Sequence, residues 1–544
     1  MLLTEAEMRR AMLGGAVSLA GIALFVGFAV FALLLSSGFS YILAAVLEPY
    51  ILQVLRFTLL QALLSTLLSI AFAIPVTQAL ARQQHFPGRI WIIRLMAVPM
   101  GLPVLIGALG LIGIWGRQGL ANALLLKLGM AEPISIYGLS GILLAHVFFN
   151  MPLACRLMLA ALERVPAEYW LMASGLGMRP GSIFRFIEWP VLRSVIPGIA
   201  GLIFMLCATS FTLVLTLGGG PAATTVEVAI YQSLRFDFDP GRAVTLSLLQ
   251  IALTSVILGA LSCLPASADE GMTVGKAIRR PDGGLLGARI VDGSILLFAA
   301  LFLGLPLMSV LLAGLRSNLM KLISEPIFWQ SAATSLAISI SAATIALLIS
   351  MMLVGARRAA LLRRSGISGA GAFFAAMGGA SSLVLLVPPI VLATGWFLAL
   401  RSFGDASAVA PLLIVAINAL MSLPFVMRVL EPAFIVHKRR TQKLAASLGV
   451  SGWVRLRLID MPALIKPVLT AFSFAMALSL GDLGAVALFG SDSFVTLPWL
   501  VYSRMGSYRT NDADGLALIL GILCLLLTIA GTMGPARREV AFHG

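Results

Sequence analysis

Twelve stretches of this chain stay apolar for about 20 residues or more, and that pattern leaves few folds open to it. They span residues 11–35, 56–81, 91–115, 139–162, 195–217, 243–263, 291–315, 331–355, 371–400, 408–430, 468–490 and 515–533. A helix rises about 1.5 Å per residue and the hydrocarbon core of a bilayer is about 30 Å thick, so about 20 apolar residues make one crossing. Composition agrees. The chain is 60% hydrophobic and 11% charged, whereas soluble domains are nearer about half apolar and about a quarter charged. Lipid must be the solvent for much of this surface. Pro75, Pro103, Pro388 and Pro389 fall inside or beside these runs, and neighbouring helices in a membrane bundle absorb such kinks. The first run follows Arg9 and Arg10 and is longer than the core of a signal peptide, so it is expected to be a retained first crossing.

Charge gives an orientation. With the N-terminus inside, alternate loops assigned to the cytoplasm carry most of the 38 Lys and Arg, which predicts both termini inside. The net charge of +15 then belongs to cytoplasmic loops. It shows no basic patch interleaved with aromatics, so nucleic acid is not an expected partner. Cys155, Cys207, Cys263 and Cys524 lack CxxC spacing and lie in or at the ends of apolar runs; they are expected to be packing residues, not metal ligands or disulfides.

The chain repeats itself. LMASGLGMRPGSIFRFIEWP (171–190) parallels KLAASLGVSGWVRLRLIDMP (443–462) at an offset of 272 residues, half the chain length. Pro152 and Pro424, Arg156 and Arg428, and Gly218 and Gly490 keep the same offset. Two six-helix halves, 1–266 and 291–544, are therefore expected, joined by a polar cytoplasmic linker at 267–290. An even number of crossings per half leaves the halves parallel, related by an axis along the membrane normal.

Each half carries one long cytoplasmic loop, at 164–193 and 431–467, between its fourth and fifth crossings. The shared core is A-x-x-L-G with a proline thirteen residues after the glycine. Ala173, Leu176, Gly177 and Pro190 hold that frame in the first copy, and Ala445, Leu448, Gly449 and Pro462 in the second. This resembles the EAA loop of ABC importer permeases. Ile187 and Ile459 fall on the pattern's isoleucine, whereas Leu171 and Lys443 stand where it has glutamate, and Trp189 and Met461 where it has leucine. A glycine permits the sharp turn between two short helices, which together make a knob along the membrane surface. In the family such a knob seats in a socket of the ATPase subunit. The resemblance implies that small Ala173 and Ala445 allow close approach. It also implies that Arg179, Arg185, Arg455 and Arg457 meet acidic groups at the socket rim or anionic lipid.

Further stretches are similar to the thiamine-type permeases: YGLSGILLAHVFFNMPLACR (137–156), FRFIEWPVLR (184–193), LGGGPAATTVEVAIYQSL (217–234), LGDLGAVALFG (480–490) and VTLPWLVYSRMGSYR (495–509). The resemblance covers nearly the whole chain. It implies an all-α polytopic membrane protein of the inner membrane, made of two fused six-helix MetI-like permease domains. It also implies two copies of an ABC ATPase subunit and a periplasmic thiamine-binding protein as partners. The sequence has no GxxxxGK[ST]; Gly275 and Lys276 are followed by Ala277. The phosphate cradle of a P-loop is thus missing, and ATP and Mg are expected on the partner ATPase. No cofactor, metal set or catalytic constellation is read in this chain, and an enzyme is not expected.

Four residues are candidates for the substrate pathway. Asp482 lies in an apolar run, where an ionisable group ordinarily faces a cavity or a partner. It either attracts the thiamine cation or accepts hydrogen bonds from backbone freed near Gly481 and Gly484. Glu227 is a gate or docking residue, or a plain acid in the first turn of a helix after Thr224 and Thr225. Tyr231 and Tyr502 occupy nearly equivalent places and serve as interfacial anchors or as stacking partners for the thiamine rings. His146 near Asn150 reads as hydrogen-bonded packing, and Asp237 with Asp239 as a solvated turn. A permease for iron(III) or polyamine, an ion-driven secondary transporter and a membrane scaffold remain alternatives.

Overall fold

The computed structural model describes residues 5–36, 48–263, 280–284, 286–363, 384, 386–401, 409–450, 452–490 and 494–532. In chain order the first repeat gives α1 (Glu5–Leu35), α2 (Pro49–Arg82), α3 (Arg89–Gly101), α4 (Val104–Trp115), α5 (Leu120–Lys127), α6 (Leu139–Leu162), α7 (Ala167–Gly175), α8 (Pro180–Ile183), α9 (Trp189–Ala208), α10 (Thr212–Leu217), α11 (Val226–Arg235) and α12 (Pro240–Ser262). The second gives α13 (Leu286–Arg316), α14 (Leu319–Ser324), α15 (Pro326–Arg363), α16 (Pro389–Arg401), α17 (Ala410–Ser447), α18 (Gly452–Arg455), α19 (Met461–Leu480), α20 (Gly484–Phe489), α21 (Leu497–Gly506) and α22 (Thr510–Thr532). Helices dominate because lipid leaves backbone N–H and C=O groups no outside partner.

Eleven helical segments among the described residues are long and apolar enough to cross a bilayer. They answer to eleven of the twelve expected crossings. The other, 371–400, lies partly outside the described residues, and its described part is the shorter apolar α16. Most of the expected linker, 267–279 and 285, also lies outside them.

Three expected single crossings are broken. The run 91–115 divides into α3 and α4 because Leu102, preceding Pro103, takes an extended backbone (ψ 140°) as the proline ring requires. The runs 195–217 and 468–490 break at equivalent places, between α9 and α10 and between α19 and α20. A polar side chain bonds the backbone at each break. Thr209 Oγ1 donates to the Met205 carbonyl at 2.9 Å, and the Gly484 N–H donates to Asp482 Oδ1 at 3.2 Å.

The chain forms two compact units. The first comprises Ser37–Leu322 and Val501–Leu518; the second comprises Met1–Ser36, Ile323–Leu500 and Ile519–Gly544. This division differs from the sequence repeat: α1 packs in the second unit, while α13 and residues 501–518 of the second repeat belong to the first. In the first unit α2 packs along α6 and α9, and α13 lies along α4. A Cβ at Gly110 would stand 2.5 Å from the Pro306 carbonyl oxygen, and one at Gly113 would collide with Ser309 Oγ. Only glycine lets α4 and α13 approach so closely. In the second unit α15 packs along α17, α19 and α1, and α1 also lies along α16. A Cβ at Gly395 would stand 2.5 Å from the Ala29 carbonyl oxygen.

Hydrogen bonds inside each unit follow the repeat. In the first, Thr58 Oγ1 accepts the Val226 N–H at 3.0 Å; in the second, Ser335 Oγ accepts the Leu497 N–H at 2.8 Å. Residues at the 272-residue offset also do similar work. His146 Nδ1 lies 2.8 Å from Ser65 Oγ, and Asn150 reaches Cys207 Sγ at 3.3 Å; in the second unit Asn418 Nδ2 donates to Ser479 Oγ at 2.9 Å. His146 is thus a packed, hydrogen-bonded residue.

Gly110→Ala should lower the stability of the detergent-solubilised protein by about 1–3 kcal/mol, the range of core overpacking. Gly198→Ala, where a Cβ meets nothing within 4 Å, should be neutral or slightly stabilising. Thermal unfolding of the two variants side by side measures the difference.

Candidate functional site

From the glycine onward the two loops fold alike; before it they differ, the first resting on the separate α7 and the second on the last turns of the unbroken α17. Gly177 has φ +60° and Gly449 φ +64°, the left-handed conformation that only glycine adopts freely. Behind each glycine the chain doubles back on a helix-ending hydrogen bond. The Met178 N–H donates to the Ala173 carbonyl and the Val450 N–H to the Ala445 carbonyl, both at 3.0 Å. A short helix follows, α8 or α18, and then five π-helical residues, Phe184–Glu188 or Leu456–Asp460. The proline explains the π-helical segment. Pro190 and Pro462 stand second in α9 and α19, have no N–H to give, and crowd the carbonyl four residues back, so the register widens by one residue.

Side-chain placement divides the expected coupling residues into two groups. Ala173 and Ala445 are buried. Ala173 packs with Trp170 and Ile183 in a small core flanked by Val165, Met178 and Ile187, so its smallness serves the knob's own interior and not an outside surface. Arg455 is likewise buried, its Nε 3.6 Å from Asp460 Oδ2, and so leaves the expected basic rim. Leu176 is 74% exposed and Leu448 63%, and Arg179, Arg185, Arg457, Pro190 and Pro462 are exposed. Tyr169, Leu171, Met172 and Phe186 in the first loop, and Val454 and Leu458 in the second, add exposed apolar surface. Arg185 lies over the Phe186 ring at 5.5 Å.

An acid two residues before each proline is braced from inside. Glu188 is fully buried; its Oε1 lies 2.6 Å from Arg280 Nη2 and its Oε2 accepts from Gln78 at 3.0 Å. Burial alone lowers the Arg280 pKa. The hydrogen bonds and charges of Asp282 and Glu188 outweigh it and hold the guanidinium above its ordinary value. Asp460, the equivalent acid, has its Oδ1 2.7 Å from His437 Nε2.

The expected pathway residues fall in both units. In the second, Asp482 sits in the break between α19 and α20. One carboxylate oxygen accepts the Gly484 N–H, while Oδ2 is buried without a hydrogen bond. In the first, Thr225 precedes α11, and Glu227 and Tyr231 are buried one helical turn apart. Tyr231 meets Phe211 and Phe236 edge-on, at 5.6 and 5.8 Å between centroids. Tyr502 belongs to the same unit; burial, and secondarily Tyr231, push its pKa up to about 12. Asp239 Oδ1 accepts the Arg242 N–H at the start of α12, and Asp237 lies 3.5 Å from Arg242, a turn as expected. A separate cavity of about 550 Å³ in the first unit is lined by residues such as Leu68, Phe72, Phe298, Phe302 and Pro306, an apolar wall unsuited to a cation. Among the described residues no His, Cys, Asp and Glu group is arranged to hold a metal.

Residues 369–533, which include the second loop, match the family described as binding-protein-dependent transport system inner membrane component. Over nearly the whole chain the sequence is 48% identical to the thiamine transport system permease protein of Brucella abortus, covering 97% of this chain and 96% of that protein. The protein of the same name from Escherichia coli is 42% identical, with 90% of each chain covered. That from Haemophilus influenzae is 36% identical, with 94% of each covered. The chain belongs to the binding-protein-dependent transport permeases.

For a permease of this family, the expected frame of alanine, leucine, glycine and proline is the part legible in sequence. The bracing residues Glu188, Arg280, His437 and Asp460 lie outside that frame. A signal for two of them was present: both repeats place an acid between the isoleucine and the residue before proline, IEWP and IDMP.

Asp482→Asn keeps a carbonyl to accept the Gly484 N–H, so the permease should reach the membrane in normal amount. Asp482→Leu strands that N–H at a cost of about 1–3 kcal/mol. Its abundance and thermal stability should fall, as immunoblots of membranes and unfolding of the purified protein would show.

Proposed function

We propose that this permease is the membrane-spanning subunit of an ABC importer that carries thiamine, and its phosphates, into the cytoplasm. The observation that carries the reading is a likeness to thiamine transport permeases running the length of the chain, joined to a knob built in duplicate with matching backbone geometry. Each knob receives one of two copies of an ATPase subunit, which supplies ATP and Mg. A periplasmic binding protein delivers thiamine. Both termini, the linker and the knobs lie on the cytoplasmic side, in keeping with the Lys and Arg distribution.

Physical chemistry supports this division of labour. The exposed face around Leu176 and Leu448 offers apolar contact, and Arg179, Arg185 and Arg457 offer charge for an acidic rim. Closure of the ATPase pair on ATP draws the knobs together and biases the permease toward its outward-open state; hydrolysis resets it. Thiamine is a cation with two aromatic rings. Asp482, with one carboxylate oxygen unused at a helix break, is the group we assign to attract it; Tyr231, Tyr502 and Glu227 are the remaining candidates along the pathway.

In proteoliposomes holding permease, ATPase and binding protein, labelled thiamine should accumulate only with ATP, and neither iron(III) nor polyamine should compete. Uptake driven by an ion gradient without ATP, or inhibition by those solutes, would overturn the reading. Asp482→Asn should cut thiamine uptake by about ten-fold, the effect of losing about 1.4 kcal/mol of interaction. Gly177→Val with Gly449→Val forces branched residues into a left-handed turn, at about 1–2 kcal/mol per residue. Co-purification of the ATPase should then fall steeply while membrane abundance is maintained.

A further inference from the structure

The two knobs differ in what holds them from behind. In the second, Asp460 is met by His437 from the helix entering the loop and by Arg455 from the loop itself. In the first, no basic residue stands at those places: Val165 and Ile183 occupy the positions 272 residues earlier. The cation comes from the segment joining the repeats. Arg280 Nη2 reaches Glu188 at 2.6 Å and Asp282 at 2.9 Å, with side-chain exposures of 1%, 0% and 0%. Its Cζ lies 4.2 Å from the Trp170 ring centroid, and Trp170 belongs to the knob's own core.

The joining segment is itself tied down. Arg82, at the end of α2, donates to Asp282 at 3.1 Å and to Asp292 of α13 at 2.9 Å. Gln83 donates to Asp292 at 2.9 Å. A Cβ at Gly283 would stand 2.9 Å from the Arg82 carbonyl oxygen, so the segment lies hard against the helix end. One connected cluster thus links the first knob, the segment 280–284, the end of α2 and the start of α13. Burying five charged groups is costly unless each is paired. Here the pairing joins all four parts, Glu188 of the knob, Arg280 and Asp282 of the segment, Arg82 of α2 and Asp292 of α13.

We propose that Arg280 is a positioning residue for energy coupling: it makes the segment 280–284 a strut that locks the first knob to the ends of α2 and α13, so that a push on this knob moves those helices with it. The second knob is braced from within its own repeat. The inference rests on the reading of the knobs as ATPase-docking elements. It adds that the two are mechanically unlike, the first depending on a residue outside its loop.

The test uses the complete permease with its ATPase and binding protein in proteoliposomes, and reads thiamine imported per ATP hydrolysed. Arg280→Gln should reach the membrane and retain ATPase as the wild type does, since the exposed knob surface is unchanged. Imported thiamine per ATP should fall by about ten-fold. Glu188→Gln should do the same, and the double variant should be no worse than the poorer single, because the pair acts as one unit. Arg280→Lys keeps a charge near both acids but loses the planar stack and the fork, so it should recover only part of the ratio. An unchanged ratio in Arg280→Gln, or losses that simply add in the double variant, would overturn the proposal. So would failure of both Arg280→Gln and Arg280→Lys to accumulate, which would make Arg280 a folding residue. A wild-type permease that holds no ATPase or carries no thiamine would instead sink the functional reading beneath it.

Discussion

Hydrocarbon offers a peptide group no hydrogen bond, and everything else in this protein is arranged around that fact. Long helices satisfy their own backbones, so the chain is free to expose Leu24, Val17 and Phe298 to lipid. The breaks at 209–211 and 481–483 are the costly places, because there the ladder stops within an apolar run. At the second, Asp482 accepts the first N–H of the next helix; at the first, Thr209 adds a side-chain bond to the Met205 carbonyl that its own N–H already reaches. A break is a place where polar groups must be brought to membrane depth, and it is also where a polar solute finds partners. The same constraint that makes these breaks rare makes them the natural location for recognition.

At the knobs the constraint is of another kind. Each is a small structure that, in the role proposed above, carries force, yet its core consists of a few side chains. In the first these are Trp170, Ala173 and Ile183. Apolar packing on that scale holds shape weakly. A buried charge is a poor source of stability unless it is paired, and both knobs set a buried acid within hydrogen-bonding distance of a partner: Glu188 with Arg280, Asp460 with His437. The π-helical segment before each proline carries this acid at one end and leads straight into a crossing helix, so a displacement of the loop has a short, stiff route into the membrane.

Much of this was legible in the sequence. Apolar run length alone located eleven crossings, and the 272-residue repeat placed both knobs and their glycines, whose positive φ follows from the residue type. Four things were not legible. Whether an alanine in a conserved-looking frame faces inward or outward depends on a core only a few residues wide, and Ala173 and Ala445 turned inward. Arg455 looked like one more basic surface residue, because nothing in its neighbourhood in sequence reveals that Asp460 draws it in. The charged partner of Glu188, Arg280, came from almost a hundred residues away, in a polar segment whose composition reads as a plain tether. Crossing helices are set by local hydropathy; which helix a crossing packs against is not. The exchange of α1 and α13 between the two units therefore left no trace in any local pattern.

That exchange shapes how the protein must be assembled. The ribosome delivers α1 first, but α15, the earlier of the two helices it finally packs against, begins about 300 residues after α1 ends. At about 5–20 residues per second that is a wait of about 15–60 seconds. During it α1 stands in lipid without its permanent neighbours, and the helices of the first unit form without α13. Neither unit is finished until the second repeat is well under way. Cutting the polypeptide at the joining segment would thus release two fragments that each hold a helix belonging to the other, and only their reunion would give a complete fold. Carrying both repeats on one polypeptide guarantees that each helix meets its intended counterpart at fixed stoichiometry.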